Sequence, residues 1–192
     1  MHILMTAFGP FRELKRNPSE MVLEHARRHG HFDDCMVEWV VLPVTFRAVE
    51  NFVGGILPGS YDVIIHTGVA VGSLRLQIEL HACNRVKGRD VDGVALEGVI
   101  EEKGPAVLTS PLASHVRAGC QARGIALDAS EDAGGYLCNY IYYKSLRRLG
   151  PHSGIAFLHL ADFVSNPAAS SLEAQAGLLV KLTEIMRDWV RG

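Results

Sequence analysis

The chain has 192 residues, of which 48% are hydrophobic and 21% are charged, and its formal net charge is −2. This length suits one domain with a substantial core, and the composition is that of a globular protein. Basic residues do not gather into a stripe, so the sequence does not indicate a nucleic-acid-binding surface. No apolar run approaches the roughly 20 residues that span a bilayer, which argues against a membrane protein.

The four cysteines, at positions 35, 83, 120 and 138, form no C-x-x-C pair. The sequence therefore supports neither a zinc ribbon nor a thioredoxin-type motif. The first residues, "MHILMTAFGPF", lack the charged segment and the long apolar core of a signal peptide. We expect a cytoplasmic protein with reduced thiols, in which a reactive cysteine can function.

In chain order, short apolar segments alternate with longer amphipathic ones. The apolar segments predict strands at residues 2–8, 37–44, 62–68, 106–110 and 154–160. Start signals, stop signals and helical periodicity predict helices at residues 17–30, 45–57, 110–124, 137–150 and 170–190. This alternation predicts a single domain, 1–192, with a three-layer α/β/α sandwich around a twisted mixed, mostly parallel sheet.

Two segments depart from this alternation. Residues 74–80, "LRLQIEL", alternate apolar and polar side chains, so they predict a strand with one polar face that carries Glu79. Residues 84–105 are polar and rich in glycine, and they lack a helical pattern. We expect a hairpin or a mobile loop there, and we predict that this segment closes over a bound ligand.

Cys138 is the first candidate for chemistry, because it follows two glycines at the head of a predicted helix in "GGYLCNYIYYKSL". Unpaired backbone N–H groups and the positive end of the helix dipole stabilise a thiolate at such a position. The same N–H groups can form an oxyanion hole. A buried structural cysteine is the plainer alternative, and it is the interpretation that we give to the other three cysteines.

Two histidines and two carboxylates are candidate partners for a thiol nucleophile. His159 ends a predicted strand, at the edge where α/β sheets usually bind ligands, and His66 has a similar position in its own strand. Glu79 can orient the base, and Asp162 competes for that role. Spacing alone leaves both choices open. The histidines and carboxylates show no convincing metal-binding spacing.

The turn after the first strand, "AFGPF", has Phe8 and Phe11 on either side of a Gly-Pro pair. Aromatic side chains on such a loop suggest a small apolar pocket, and packing beneath the loop is the alternative.

Five segments resemble, in the same order, motifs of the pyroglutamyl peptidase I family of cysteine peptidases. They are "MTAFGPF" with "NPS", "VLPVTF", "IELHACN", "GGYLCNYIYYKSL" and "GIAFLHL". The resemblance implies that Cys138 is the nucleophile, that His159 is its base and that Glu79 orients the histidine.

The same resemblance implies the remaining site residues and the reaction. An arginine that the family places near its nucleophile corresponds to Arg89, and the aromatic pocket for the pyrrolidone ring corresponds to Phe8, Phe11 and Tyr136, a position that is often phenylalanine in the family. The implied reaction removes the N-terminal pyroglutamyl residue from peptides without a cofactor or metal. Its implied partners are such peptides and further copies of the chain, in a homodimer or homotetramer.

The sequence also departs from the family pattern in its substrate loops. Leu80 stands where the family has an arginine, and residues 70–73 read "AVGS" without the usual proline and arginine. A non-catalytic homologue that binds pyroglutamate or peptides is therefore the alternative. A further alternative, based on fold analogy alone, is an α/β enzyme that acts on nucleosides or similar ligands.

Overall fold

The computed structural model describes residues 1–11, 15–150 and 153–192. The predicted domain, 1–192, also includes residues 12–14 and 151–152, which lie outside this description. In chain order, the described elements are β1 (His2–Phe8), α1 (Pro18–His29), β2 (Met36–Leu42), α2 (Phe46–Gly55), β3 (Val63–Ala70), β4 (Gln77–Glu79), β5 (His81–Cys83), β6 (Val86–Arg89), β7 (Ala95–Gly98), β8 (Val107–Thr109), α3 (Pro111–Ala122), β9 (Asp128–Ser130), α4 (Leu137–Leu149), β10 (Gly154–Ala161) and α5 (Leu172–Arg191).

Six strands form the central sheet, in the order β2-β1-β3-β10-β4-β9. The first four strands are mutually parallel, β4 runs antiparallel to β10, and β9 runs parallel to β4. The predicted mixed, mostly parallel sheet is therefore confirmed.

Alternate residues of β1 supply the two faces of this sheet. Ile3 and Met5 belong to the apolar cluster that contains the buried sides of α1, α3 and α5. Leu4 and Phe8 belong to the opposite cluster, with α2 and α4. Because successive strand residues point to opposite faces, helices cover the sheet on both sides and form the predicted three layers. No helix among the described residues is both long and apolar enough to cross a bilayer.

Two of the predicted strands differ from what the structure shows. Residues 106–110 form no central strand: β8 pairs antiparallel with β5 in a separate ribbon, and Val107 is 50% exposed. The place beside β4 belongs instead to β9, whose three residues, "DAS", carry no apolar pattern. Of the predicted strand 74–80, only Gln77–Glu79 pairs in the sheet.

The polar segment 84–105 contains a hairpin, which is one of its two predicted forms. Strands β6 and β7 pair antiparallel, and Asp90 at the turn is buried. The Asp90 carboxylate accepts hydrogen bonds from the backbone N–H groups of Asp92 and Val94, and from that of Phe46 at the start of α2. One buried carboxylate thus closes the turn and ties it to a helix, which offsets the small apolar area that the segment buries.

Candidate active site

Cys138 is the second residue of α4, directly after the turn formed by Gly134, Gly135 and Tyr136. The other described helices each have a side chain that accepts a capping hydrogen bond at the N-terminus. At the head of α4, no side-chain cap is present within the described residues, and Tyr136 uses its hydroxyl to donate to the Arg89 carbonyl at 2.9 Å. The first N–H groups of α4 are therefore not occupied by a cap and can bind a developing oxyanion.

The sulfur of Cys138 approaches the backbone of β3 closely at Gly68. A Cβ atom added to Gly68 would lie 2.7 Å from the Cys138 Sγ atom and 3.1 Å from the Phe157 ring. Only a residue without a side chain fits at this position. The Cys138 sulfur at the start of α4 therefore packs directly against the backbone of β3.

Glu79 and His159 form a buried pair beside this thiol. The Glu79 Oε1 atom lies 2.6 Å from the His159 Nδ1 atom, and the two residues are 1% and 8% exposed. The second carboxylate oxygen, Oε2, is buried and has no hydrogen-bond partner within the described part of the chain. The Tyr142 hydroxyl fixes the strand itself by donating to the Glu79 carbonyl at 3.0 Å.

The electrostatics of this group favour a protonated His159. Burial lowers the pKa of His159, but the Cys138 sulfur and the Glu79 carboxylate more than offset this and raise the pKa to about 10. A histidine that is held positive between a sulfur and a carboxylate is the expected partner of a thiolate.

The competing histidine, His66, lies in the core and uses both ring nitrogens in hydrogen bonds there. It is fully buried, and its two ring nitrogens lie 2.8 Å from the Thr6 hydroxyl and 3.0 Å from the Ser145 hydroxyl. Burial lowers the pKa of His66 to about 3, so this ring is neutral at physiological pH. The geometry therefore favours His159 as the base.

The competing carboxylate, Asp162, is also engaged elsewhere. Its two side-chain oxygens accept hydrogen bonds from the backbone N–H groups of Gly72, at 3.4 Å, and Ser165, at 3.0 Å. Asp162 thus closes the turn after β10, and Glu79 is the carboxylate that contacts His159.

A cavity of about 200 Å³ opens next to Cys138 and His159. Its walls include all three predicted aromatic residues, Phe8, Phe11 and Tyr136. Among the described residues, no aspartate, glutamate, lysine or arginine lines it. The cavity therefore suits a small group that is uncharged and partly apolar.

Arg89 lies outside this cavity. Its guanidinium donates to the Gly93 carbonyl at 2.7 Å, and the side chain lines a neighbouring cavity. Of the seven predicted site residues, five thus line this cavity, Glu79 contacts one of them, His159, and Arg89 lines the neighbouring cavity.

Three comparisons with known proteins bear on this geometry. Residues 1–176 match the sequence model of a family described as pyroglutamyl peptidase. The chain belongs to the pyroglutamyl peptidase family.

Individual relatives and solved structures agree with this membership. A pyrrolidone-carboxylate peptidase from Halalkalibacterium halodurans is 32% identical over 90% of this chain and 87% of its own length. The human pyroglutamyl-peptidase 1 is 26% identical over 82% of this chain and 78% of its own length. The crystal structure of a pyrrolidone carboxyl peptidase from Thermus thermophilus superposes with a TM-score of 0.81 at 29% identity, and it covers 97% of this chain and 98% of that one.

Asn139, the residue after the candidate nucleophile, is a further part of the site that the sequence patterns did not single out. Asn139 is fully buried, its side-chain oxygen accepts from the Cys83 N–H, and its amide donates to the carbonyls of Cys83 and Arg85. It therefore fixes the segment that enters the hairpin to the head of α4. Asparagine is unfavourable inside a helix, so its presence at position 139 could have indicated a structural role for this side chain.

Proposed function

We propose that this chain is a cysteine exopeptidase that hydrolyses the bond after an N-terminal pyroglutamyl residue. The observation that carries the proposal is that Cys138 and His159, with Glu79 bonded to His159, lie at an aromatic-lined cavity whose described walls have no aspartate, glutamate, lysine or arginine. The pyroglutamyl lactam has no charge and presents an apolar ring edge, which suits these walls. An N-terminal glutamyl residue would bring an ammonium and a carboxylate into a cavity whose described walls carry no charged group besides the Cys138–His159 pair, and the desolvation cost would disfavour it.

The reaction begins with the pair formed by Cys138 and His159. The Cys138 thiolate attacks the pyroglutamyl carbonyl carbon, and the N–H groups at the head of α4 stabilise the oxyanion. The His159 imidazolium then gives its proton to the leaving amine as the C–N bond breaks, which leaves a thioester on Cys138.

Water completes the cycle. Neutral His159 takes a proton from a water molecule, whose oxygen attacks the thioester carbonyl and releases pyroglutamate and the Cys138 thiolate. Glu79 supports the imidazolium in both halves of the reaction and holds the ring through Nδ1, so that Nε2 faces the sulfur.

A turnover assay tests this proposal. A pyroglutamyl-linked reporter amide should be hydrolysed, the matching glutamyl amide should not, and Cys138→Ser should remove the activity. Binding of pyroglutamate without turnover by the wild-type chain would instead favour the non-catalytic homologue. A cytoplasmic location, expected from the sequence, and a homodimeric or homotetrameric state, implied by the family resemblance, belong to the same proposal.

A further inference from the structure

A second cavity, of about 490 Å³, adjoins the one at Cys138. Phe11 and Tyr136 line both cavities, and the other walls of the second come from residues 87–91 of the hairpin. A peptide whose pyroglutamyl ring fills the cavity at Cys138 has its scissile bond at the sulfur. Its next residues can then extend past Phe11 and Tyr136 into the second cavity. The second cavity is therefore placed to receive the leaving part of the substrate.

Two of the three charged side chains in this second cavity are engaged with other groups of the protein. The Lys87 Nζ atom lies 2.7 Å from the Glu97 Oε1 atom. Asp90 is buried, and its carboxylate oxygens accept the backbone N–H groups already described. Arg89 is exposed, its guanidinium donates to the Gly93 carbonyl, and it forms no ion pair with a carboxylate within the described part of the chain. Arg89 is thus the one of these three side chains whose charged group is exposed and not bound to a carboxylate among the described residues, and it lies beside the path of the leaving group.

The backbone that carries Arg89 is fixed to the segment of the nucleophile. The Lys87 N–H donates to the Gly135 carbonyl at 2.6 Å, and the Tyr136 hydroxyl donates to the Arg89 carbonyl at 2.9 Å. Between them, Gly88 has φ +155°, and a Cβ added there would lie 2.5 Å from the Tyr136 ring. The start of the Arg89 side chain is therefore held at a set position relative to Cys138.

We infer that Arg89 selects substrates that carry a carboxylate on the leaving side of the scissile bond. The carboxylate can be the free C-terminus of a short peptide or an acidic side chain, and a guanidinium binds either with two parallel hydrogen bonds. This inference rests on the proposed function and narrows its substrate class. Because Arg89 is exposed, we expect a modest gain in kcat/KM, about two- to fivefold at low ionic strength.

Matched substrates test the inference and separate the two carboxylate sources. Pyroglutamyl-alanine and pyroglutamyl-alanyl-alanine, each as the free acid and as the C-terminal amide, report on the terminal carboxylate. The amides of pyroglutamyl-glutamate and pyroglutamyl-glutamine report on the side chain. At least one acid should exceed its neutral partner in kcat/KM, and 0.5 M NaCl should reduce that preference, since salt screens exposed charges.

Two variants assign the preference to a residue. Arg89→Gln should abolish it, because kcat/KM on the acids falls to the value that the same variant shows on the neutral amides. Arg117→Gln removes the same charge from the exposed side of α3, on the opposite face of the sheet, and should keep the preference. An equal loss on acids and amides in Arg89→Gln would overturn the inference, because it would place Arg89 in a step common to all substrates. A wild-type enzyme without any preference would overturn it as well.

Equilibrium binding distinguishes this inference from the proposed function. Calorimetric titration of Cys138→Ser with the same peptides measures the preference without turnover. Tighter binding of the acids, lost on adding Arg89→Gln, supports the inference even if the wild-type chain hydrolyses none of them. Equal binding of acids and amides refutes it even if all of them are hydrolysed.

Discussion

Glu79 and His159 lie diagonally across one antiparallel strand pair. Glu79 stands opposite Phe157 in the register of β4 and β10, and its carboxylate reaches the ring two residues further along β10, at 2.6 Å. Diagonal neighbours on one face of a sheet are within reach of long side chains. A shift of one residue in this register would turn Glu79 to the opposite face, so the contact depends on the pairing of three residues.

Glu79→Gln should lower kcat with little change in KM, and by less than the roughly 10²- to 10⁴-fold loss expected for His159→Ala. Without the Glu79 charge, the pKa of His159 falls below its value of about 10. The imidazolium is lost as the pH rises through this pKa, so the alkaline limb of kcat/KM should move to lower pH. A pH–rate profile measures this shift. Asp162→Asn is the control, and a larger loss in that variant would assign the orienting role to Asp162.

Cys138→Ser should remove nearly all turnover, because an alcohol forms the attacking anion far less readily than a thiol. Cys35→Ser should remain active, since Cys35 lies against Arg187, among the residues that pack with α5. Mass spectrometry after brief exposure to an alkylating reagent should find Cys138 modified first. First modification at another cysteine, with equal loss of activity, would contradict the assignment.

Gly68→Ala should impair catalysis more than folding. The new methyl group would lie 2.7 Å from the Cys138 sulfur, so the thiol must move, and a displacement of about 1 Å can cost about 10² in rate. Gly177→Ala is the matched control, because it points into open space within α5 and should stabilise the fold by up to about 1 kcal/mol. Unchanged kcat/KM in folded Gly68→Ala would show that the contact does not position the sulfur.

His66→Gln should flatten the acid side of the stability profile. Burial lowers the folded-state pKa of His66 to about 3, whereas the unfolded chain takes up the proton near pH 6.5. Between these values the unfolded state binds more protons, so stability is lost as the pH falls. From pH 7 to pH 5 this amounts to about 2 kcal/mol. Urea unfolding of wild type and variant at both pH values measures the difference, and an identical pH dependence would refute it.

Tyr136→Phe should release β6 from the nucleophile segment. The hydroxyl that donates to the Arg89 carbonyl disappears, while the ring contact at Gly88 remains. Hydrogen exchange across residues 84–105 should become faster, and a bound pyroglutamate-based aldehyde should slow it again. Tyr61→Phe, which removes a hydroxyl paired with Glu38 at the surface, is the control. Equal exchange in all three proteins would show that the hydroxyl does not hold the hairpin.

The long apolar segments predicted their strands closely, because nearly every residue in them is apolar and is therefore expected to be buried. The prediction at 2–8 coincides with β1, and that at 154–160 falls one residue short of β10. Strand β9 could not be predicted, because three polar residues become a strand only through pairing with β4. Residues 106–110 have the apolar composition of a buried strand. A sequence pattern does not show which strand a segment pairs with, and this segment pairs with β5.

In the candidate site, too, some features could be predicted from local sequence and others depend on the tertiary fold. Motif order in the sequence predicted Cys138, His159 and Glu79 as one site, and the structure brings the three close together, whereas the burial of Glu79 contradicts its alternating pattern. That pattern placed Glu79 on a polar face, whereas the structure buries its side chain against His159, and Tyr142 of α4 donates its hydroxyl to the Glu79 carbonyl. The position of Arg89 in the neighbouring cavity depends on the hairpin turn, which no local periodicity predicts.

The order of the strands also has a consequence for the synthesis of the chain. Both sheet neighbours of β4, namely β9 and β10, are translated after it. While the ribosome is still adding residues up to Ala161, β4 can pair only with β9, and β10 with His159 is not yet in place. In this topology the carboxylate and the imidazole can meet only after the last strand has been made, so the buried pair forms late in synthesis.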